Sequence, residues 1–551
     1  MEAHLIETRW DGANTDKIDF FRRTTAASMG FTQEKSDERP TCRADRIGAG
    51  VVARKTAAQR KAGGLYLTPI PVADFMATYV SANQSRVRVL DPAAGSGILL
   101  CAVVEHLAVN NDRLREVHLV AYETDPDLQD ALSEVFNDLK AWAAHRGIEL
   151  KAQLEKRDFI LAHGNALRAN AQLFDLQSTE PFDLVIANPP YFKISKSDRR
   201  AQGANAVVFG QPNIYALFMA AGAALLREGG EFLYITPRSF ASGPYFRLFR
   251  ERFFADLRPL NVHVFGSRRE TFSRDEVLQE NIILQGVRES AWQSGGRGFK
   301  LQISSSGGIA DLDRATHRTL PLEEAFDMSS SERVLRLPIL KGEDDAVKLV
   351  DSWQGSLHQY GMNISTGPVV PFRATEFLVD AAIPAESLAP LIWMNHVHAM
   401  RVSFPNGARK PQYIEQSAMQ RSLLLPNRNY VLLRRFSAKE ETRRLVAAPW
   451  FRHLFSCRWV GIENHLNYIH RPGGELDADE TVGLAALLNS ELLDTYFRVS
   501  SGNTQVSATE LRAMPLPSLD KIKLIGQKVK ATNGDAKALD AIVDAIVGVA
   551  T

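Results

Sequence analysis

The sequence predicts an α/β protein, in which a parallel sheet with helices on both faces precedes a mixed α+β domain. Two observations support this fold class. From Gly63 onward, short apolar runs of strand type alternate with longer helical stretches, and this alternation stops after roughly residue 290. Strands that alternate with helical segments imply βαβ units, and therefore a parallel sheet. The remaining chain is irregular and rich in aromatic residues and arginine.

Five apolar runs are expected as strands and two longer stretches as helices. The expected strands are VRVLDPA (87–93), VHLVAYETD (117–125), FILAHGNAL (159–167), FDLVIANPP (182–190) and EFLYITP (231–237). The expected helices are GILLCAVVEHLAVN (97–110) and NIYALFMAAGAALLREG (213–229). Each strand run ends in or near Gly, Pro, Asn or an acidic residue. Ligands of open α/β sheets bind at these carboxyl ends.

Shifts in composition divide the chain into four segments. Residues 1–62 are polar and basic with little periodicity, and we expect a helical or partly disordered arm. Residues 63–290 carry the alternating pattern. Residues 291–315 are rich in Gly and Ser, which is typical of a linker or a run of exposed turns. Residues 316–551 form the second domain.

Composition excludes several classes of protein. The chain has 551 residues with 65 Lys or Arg against 64 Asp or Glu, so any affinity for nucleic acid must come from a local patch. Cys42, Cys101 and Cys457 lie far apart, which excludes a disulfide framework or zinc ribbon and suits a reducing compartment. No apolar run is long enough to span a membrane, and the N-terminus lacks the apolar core of a signal peptide. We therefore expect a soluble intracellular protein.

The segment DPAAGSG (91–97) lies between an apolar strand and an apolar helix. A Gly-rich turn there lets backbone N–H groups approach a ligand, and the helix N-terminus favours negative charge. Such a turn is typical of a cofactor site, although it also occurs as a simple tight turn. Glu123 ends the next strand, where an acidic residue accepts hydrogen bonds from a ribose diol or is merely solvated.

The segment ANPPYF (187–192) ends the strand FDLVI. Two prolines make the turn rigid and donate no backbone hydrogen bond, so the Asn188 side-chain oxygen and nearby carbonyls are expected to accept from a ligand. Convergent acceptors suit an –NH2 group with two protons, and Tyr191 offers a flat face to a planar base. The alternative is a rigid loop with a core tyrosine.

In this order, GLYLTP (64–69), DPAAGSG and NPPY resemble the gamma class of adenine-N6 DNA methyltransferases of type II restriction–modification systems, which have a TaqI-like catalytic domain. The resemblance covers roughly residues 60–290 and implies a Rossmann-like fold that uses S-adenosylmethionine. HGNAL (163–167) stands where the family usually has Gly-Asp, which implies a contact from Asn165 to the cofactor adenine. The cofactor contacts that the resemblance implies are Tyr66, Thr68, Pro69, Asp91, Ala93, Gly95, Glu123 and Asn165.

The C-terminal half resembles methyltransferases of the PstI and BsuBI type, which implies a target-recognition domain over 316–551. The resemblance rests on STGPVVPFR (365–373), LLRRFSAKEETRRLVAAP (432–449), ENHLNYI (463–469) and residues 487–517. Residues 401–460 contain twelve Lys or Arg against three Asp or Glu. Arg434, Arg435, Arg443 and Arg444 are therefore candidates for contacts with DNA phosphates, the alternative being a solvated helix face.

The resemblance implies a mechanism in which the Asn188 side chain and the Pro189 carbonyl accept the amino protons of a flipped-out adenine. Pro190 holds the turn and Tyr191 stacks on the base, with Phe272 as a second stacking aromatic or a plain core residue. No metal is required. The implied partners are double-stranded DNA and a cognate restriction endonuclease in a prokaryotic cytoplasm, with the chain as a monomer or weak dimer.

Two other functions remain open at the level of sequence. The same turn would serve methylation of another planar amino group, such as cytosine N4, RNA adenine or a protein glutamine, although serine is more usual than Asn188 in cytosine-N4 enzymes. A DNA-binding specificity subunit with an inactive fold is the other alternative. A fused nuclease is not expected, because only about 60 residues precede the methylase motifs.

Overall fold

A computed structural model describes residues 38–167, 180–266, 281–290, 292–294, 298–326, 332–380, 386–406, 410–437, 441–501, 505–532 and 536–549. The chain divides into two compact units, which part between Leu335 and Arg336.

The first unit is a nine-stranded sheet covered by helices. Its strands β1 to β9 are Arg86–Asp91, Glu116–Tyr122, Glu149–Glu155, Phe182–Ala187, Leu226–Pro237, Leu257–Phe265, Asn281–Arg288, Lys300–Ser306 and Thr316–Pro321. Its helices α1 to α10 are Pro40–Ala53, Ala57–Gly63, Ile70–Ala77, Ile98–Asn110, Pro126–Ala144, Phe159–His163, Arg199–Gly203, Ile214–Ala224, Arg247–Asp256 and Leu322–Ala325.

The strand order is β3-β2-β1-β4-β5-β7-β6-β8-β9. Strands β1 to β5 pair in parallel, whereas β7 lies antiparallel between β5 and β6. The order reverses at β1, which pairs with β2 on one side and β4 on the other. Connections to opposite sides of the sheet leave a crevice outside the carboxyl ends of these two strands. The fold predicted from the alternating pattern is confirmed.

Helices cover both faces of the sheet because successive residues of β5 point to opposite sides. Leu233 and Ile235 join the apolar core formed with α3, α4 and α5. On the other face, Phe232 packs against Phe253 of α9, and the Tyr234 hydroxyl donates to the Phe218 carbonyl in α8. Residues buried on both faces explain why the sequence of this strand is almost continuously apolar.

The segment FILAHGNAL is wrongly predicted as a strand. Phe159–His163 is a helix and Gly164–Leu167 a 3₁₀ turn, while the third strand is the polar segment Glu149–Glu155. Strand β3 is at the edge of the sheet, and its side chains are mostly exposed or half-buried. An edge strand that faces water does not need a run of apolar residues, so apolar runs in the sequence do not predict β3.

The predicted linker at 291–315 also differs from the structure. Within it, Lys300–Ser306 forms β8, which pairs in parallel with β6. The hydroxyls of Ser304 and Ser306 lie 2.9 and 3.0 Å from the two ring nitrogens of the buried His263. These serines are buried because their hydroxyls have partners in the sheet, so a Ser-rich composition here does not indicate an exposed turn. The first unit consequently extends to Leu335, past the predicted limit of 290.

The described part of the N-terminal arm is helical and packs onto the first unit. Ala44 of α1 is fully buried. Arg39, which precedes α1, forms ion pairs of 2.7 Å with Asp74 and 2.6 Å with Glu105. Residues 40–63 therefore belong to the same compact unit as the sheet, which the basic composition alone did not indicate.

The second unit is a mixed α+β domain, as predicted. Its strands β10 to β20 are Asn363–Thr366, Leu378–Val379, Leu388–Ile392, Val397–His398, Arg401–Val402, Tyr413–Glu415, Leu424–Pro426, Tyr430–Arg434, Ala447–Trp450, Trp459–Ile462 and Leu466–His470. Its helices α11 to α16 are Glu343–Asp351, Ala478–Asn489, Glu491–Ser500, Ala508–Ala513, Leu519–Ala531 and Ala536–Val547. One sheet has the order β10-β20-β17-β18 and a second β11-β15-β12-β19-β16. Helices α12, α13 and α15 supply much of its main apolar core.

Across the described ranges, none of the helices is both long and apolar enough to cross a membrane. The three cysteines are free thiols, with Cys101 buried in α4.

Candidate active site

A cavity of about 280 Å³ opens at the crevice where the strand order reverses. It brings together GLYLTP, the glycine turn, the ends of β2 and β3, and the turn after β4. The lining residues are Gly63, Gly64, Leu65, Tyr66, Leu67, Pro92, Ala93, Gly95, Tyr122, Glu123, Thr124, Arg157, Asp158, Phe159, Asn188, Pro190, Phe192, Arg200, Ile214 and Phe218.

The Glu123 carboxylate is anchored by three backbone N–H groups. Gly95 N donates to Glu123 Oε2 at 3.0 Å, while Thr124 N and Asp125 N donate to Oε1 at 2.7 and 2.8 Å. Burial raises the pKa of Glu123, and these backbone donors act in the opposite direction. The hydrogen bond from Gly95 links the glycine turn to the end of β2. The positions of these two segments relative to each other are therefore fixed where they line the cavity.

Asp91 ends β1 with its carboxylate only half satisfied. Its Oδ1 accepts from Ala93 N at 3.0 Å, whereas its buried Oδ2 has no hydrogen-bond partner among the residues that the structure describes. The pKa of Asp91 is raised to about 8, mainly by burial and to a smaller extent by the negative charge of Glu123, whereas the hydrogen bond from Ala93 N acts in the opposite direction. Asp91 and Glu123 interact electrostatically in this poorly solvated crevice, and a bound cation would favour the charged form of both carboxyl groups.

The Asn188 side chain has a fixed orientation. Its Nδ2 donates to the Tyr66 carbonyl oxygen at 3.2 Å and to Thr68 Oγ1 at 3.1 Å. Thr68 is buried, so this anchor lies inside the protein. With both amide protons used, the amide oxygen is directed away from GLYLTP, and it is the acceptor that remains for a substrate.

Tyr191 contacts that oxygen directly. Its hydroxyl lies 2.5 Å from Asn188 Oδ1 and 3.0 Å from the Ile235 carbonyl oxygen. Burial raises the pKa of Tyr191 well above its ordinary value of 10.0, so the hydroxyl keeps its proton. The hydroxyl of Tyr191 can donate its single proton to only one acceptor at a time. If it donates to the Ile235 carbonyl, Asn188 Oδ1 is free to accept from a substrate. The ring meets Tyr215 edge-on at 6.2 Å between centroids.

Gly64 lets GLYLTP approach the proline turn. Its φ is +61°, and a Cβ at this position would lie 2.8 Å from Pro190 Cβ and 3.3 Å from the Phe192 ring. A glycine is therefore required both for the backbone conformation and for the close approach.

The structure gathers most of the predicted site residues into one place. Tyr66, Ala93, Gly95, Glu123, Asn188 and Pro190 line the cavity. Thr68 and Asp91 are buried beside it through the bonds above, and Pro69 caps the N-terminus of α3. Pro189 is buried in the turn. The side chain of Asn165 and all of Phe272 lie outside the described residues.

Sequence reasoning missed Asp158 and Phe159, which follow β3 and line the cavity. Asp158 Oδ1 accepts from Leu161 N at 2.9 Å and so caps α6. The signal was present as RDF (157–159), an acidic residue followed by an aromatic one. Because the apolar run 159–167 predicts a strand, the expected strand end lies at Asn165 and not at Asp158.

The four arginines predicted to contact phosphates are engaged within the second unit. Arg444 is 1% exposed, with Nε 3.0 Å from Ser437 Oγ, so a phosphate contact from it is wrong. Arg443 pairs with Asp540 at 2.8 Å. Arg434 and Arg435 donate to backbone carbonyl oxygens at 2.6 and 3.1 Å. A count of charges does not distinguish arginines that stabilise a domain from those that are free to bind.

Comparison with known proteins places the chain among methylases. Residues 111–272 match the family described as Eco57I restriction-modification methylase. The type II methyltransferase M.BsuBI of Bacillus subtilis is 32% identical over 85% of this chain and 90% of its own length. M.PstI of Providencia stuartii is 30% identical over 87% of this chain and 92% of its own length. Among solved structures, the DrdV–DNA complex is 13% identical, covering 92% of this chain and 61% of that one with a TM-score of 0.48.

Proposed function

This chain belongs to the type II methyltransferases of restriction–modification systems, and from that membership we propose that it methylates N6 of an adenine in double-stranded DNA. The modification would protect host DNA from a cognate endonuclease. The observation that carries the proposal is the Asn188 amide, which is fixed by GLYLTP and faces the same cavity as the glycine turn and Glu123.

Family membership implies S-adenosylmethionine as the methyl donor, and the cavity fits this molecule. The unpartnered Asp91 Oδ2 suits a methionine ammonium group, and Glu123 at the end of β2 suits a ribose diol. Apolar side chains of Leu65, Phe159 and Phe218 supply walls for a planar ring. When bound, S-adenosylmethionine supplies a methyl group already activated on a positively charged sulfur. The protein therefore needs no metal for activation, and its own residues orient and polarise the acceptor.

Asn188 would act on the acceptor nitrogen. The lone pair of an adenine N6 is delocalised into the ring, which makes the amino group a poor nucleophile. Hydrogen bonds from its two protons to Asn188 Oδ1 and the Pro189 carbonyl would return electron density to nitrogen and stabilise the positive charge that develops. Thr68 and the Tyr66 carbonyl accept from Asn188 Nδ2 and thereby fix the orientation of the amide, so its oxygen is in place before the base arrives.

The adenine must leave the duplex to reach this cavity, because N6 is paired inside the helix, and flipping costs a few kcal/mol. Pro190 lines the pocket and Tyr191 follows it in the chain, so these two residues would receive the flipped base. Asn188, where cytosine-N4 enzymes more often have serine, favours adenine over cytosine as the acceptor.

The test is transfer of label from tritiated S-adenosylmethionine to unmethylated duplex DNA, RNA and protein extract, followed by digestion of the DNA to nucleosides. We expect label in N6-methyladenine with the wild-type protein and loss of it with Asn188→Ala. Asn110→Ala, an exposed asparagine at the end of α4, is the matched control and should keep full activity. Calorimetry should show that Asn188→Ala still binds S-adenosylmethionine.

Label in N4-methylcytosine, RNA or protein alone would overturn the adenine proposal and redirect it to another planar amino group. Cofactor binding without transfer to any substrate would instead favour a specificity subunit. Sequencing of labelled DNA would then map the recognition site.

A further inference from the structure

Two exposed aromatic side chains lie together on the first unit. Phe209 is 44% exposed and Tyr245 58% exposed, and within the described part of this unit they are the aromatic members of the exposed large hydrophobic residues. Gly210 adopts a φ of +68°, and a Cβ there would lie 2.3 Å from a ring carbon of Tyr245. The Arg247 guanidinium lies 5.5 Å from the centre of the Phe209 ring. We call Phe209, Tyr245 and Arg247 the aromatic patch.

The segments that carry the aromatic patch contact the segment that follows the catalytic turn. Ile194 N donates to the Pro212 carbonyl and Ile214 N to the Phe192 carbonyl, both at 3.0 Å. The segment after Phe209 therefore runs beside the segment that follows NPPY. Phe246, next to Tyr245, packs 5.6 Å from Tyr215, whose ring meets Tyr191 edge-on.

The surroundings of the aromatic patch are basic. Residues 192–213 and 238–252, which carry it, contain eight Lys or Arg against two Asp or Glu, and two of the eight, Arg238 and Arg250, are buried. Lys193, Lys196 and Arg199 are exposed. Exposed aromatics beside cations match a nucleic acid, which offers apolar base faces and negative phosphates together.

We propose that the aromatic patch contacts DNA beside the flipped adenine, with Tyr245 and Phe209 on base faces and Arg247 on a phosphate. This inference rests on the proposed function. A base that leaves the stack exposes the apolar faces of its neighbours, and aromatic side chains that cover them lower the cost of flipping. The patch is placed for this role because residues 212–214, which follow Phe209, are hydrogen-bonded to the segment after Tyr191, and Phe246, next to Tyr245, packs on Tyr215.

The experiment uses duplexes with 2-aminopurine at the adenine mapped by sequencing DNA methylated by the wild-type protein. Flipping raises 2-aminopurine fluorescence, and anisotropy gives the DNA affinity. We expect Tyr245→Ala to weaken binding about tenfold or more and to reduce the fluorescence rise, because a stacked base contributes that much. Phe209→Ala should act in the same direction, whereas Tyr245→Phe should bind like the wild type. Arg247→Ala should lower the slope of log affinity against log salt by about one.

Val109→Ala is the matched control, since Val109 is 62% exposed at the end of α4 and should have no effect. Calorimetric binding of S-adenosylmethionine should be unchanged in every variant, which establishes that the fold is intact. Wild-type affinity and fluorescence in both Tyr245→Ala and Phe209→Ala would overturn the inference, as would a changed oligomeric state with unchanged DNA binding. Failure of the wild-type protein to methylate DNA adenine would instead overturn the proposed function, and this inference with it.

Discussion

The two carboxylate oxygens of Asp91 differ in their hydrogen bonding, and this difference affects the protonation of Asp91. Oδ1 accepts from Ala93 N, whereas within the described part of the chain the buried Oδ2 has no hydrogen-bond partner. The pKa of Asp91 is raised to about 8 from its ordinary value of 3.8. Between these two values the folded protein holds a proton on Asp91 that the unfolded chain has released. The stability that this proton provides is complete below about pH 4 and is lost as the pH rises through 8.

Asp91→Asn should therefore have opposite effects on stability and on binding. Without S-adenosylmethionine, we expect a higher Tm than the wild type at pH 8, because a buried charge is removed. Binding of S-adenosylmethionine should weaken about tenfold or more, because the carboxylate that we assign to its ammonium group is lost. Calorimetry between pH 6 and 7.5 should show wild-type affinity rising with pH as Asp91 loses its proton. A wild-type affinity that is flat with pH, or that falls, would contradict this assignment.

Among the elements, the segment GLYLTP positions the catalytic turn. It supplies Thr68 and the Tyr66 carbonyl to the Asn188 amide and, through Gly64, packs closely on Pro190. The segment follows α2 directly and leads into α3, so its position depends on how both helices pack. The contacts explain why a motif far from NPPY in sequence acts with it.

Gly64→Ala and Gly147→Ala separate backbone strain from this close approach. Both glycines have positive φ, of +61° and +70°, but a Cβ at Gly147 would meet no described atom within 4 Å. We expect each substitution to lower the free energy of unfolding by about 1 kcal/mol through backbone strain, and Gly64→Ala to lower it further because its Cβ would clash with Pro190. Only Gly64→Ala should also lower methyl transfer, by roughly tenfold or more, since displacement of the reacting groups by about 1 Å has such an effect. Chemical denaturation and initial rates measure the two effects, and equal rates in both variants would contradict the positioning role.

For the whole molecule, the two units have separate apolar cores. One forms around β1, β2, α4 and α5, and the other around α12, α13 and α15. The buried Arg444 belongs to the second, where its guanidinium lies 5.6 Å from the Phe497 ring centre and its backbone N–H donates to Asp494 Oδ1 at 2.5 Å. Its role is therefore stability within that unit, where burial of a charge without partners would be costly.

Scanning calorimetry should resolve two unfolding transitions. S-adenosylmethionine should raise the first unit's transition, by about 2.7 kcal/mol in free energy at a hundredfold excess over its Kd. Arg444→Ala should lower the other transition, by roughly 3 kcal/mol, because it removes a buried, partnered side chain. Arg452→Ala is the control, as its 66% exposed side chain pairs with Glu475 at the surface and should cost less than about 1 kcal/mol. A reduced salt dependence of DNA binding in Arg444→Ala would contradict a purely structural role.

The sequence by itself determined the α/β fold of the first unit, the mixed second unit and the two turns that bring Gly95 and Asn188 to the crevice. DPAAGSG and NPPY are short turns whose chemistry depends on consecutive residues, and strands β1, β2, β4 and β5 are buried deeply enough to have apolar patterns. Patterns of this kind depend on residues that are close together in the sequence and not on distant contacts. They therefore predict these elements at or near their observed positions.

Only the tertiary structure decided the features that depend on pairing between distant residues. Strand β3 is polar because it is an edge, and β8 is Ser-rich because His263 partners its hydroxyls. Arg444 is buried by residues far from it in sequence, and Phe209 meets Tyr245 only through the fold. In each case the environment of a side chain comes from another segment, and burial, pKa and exposure follow from that environment rather than from residue type.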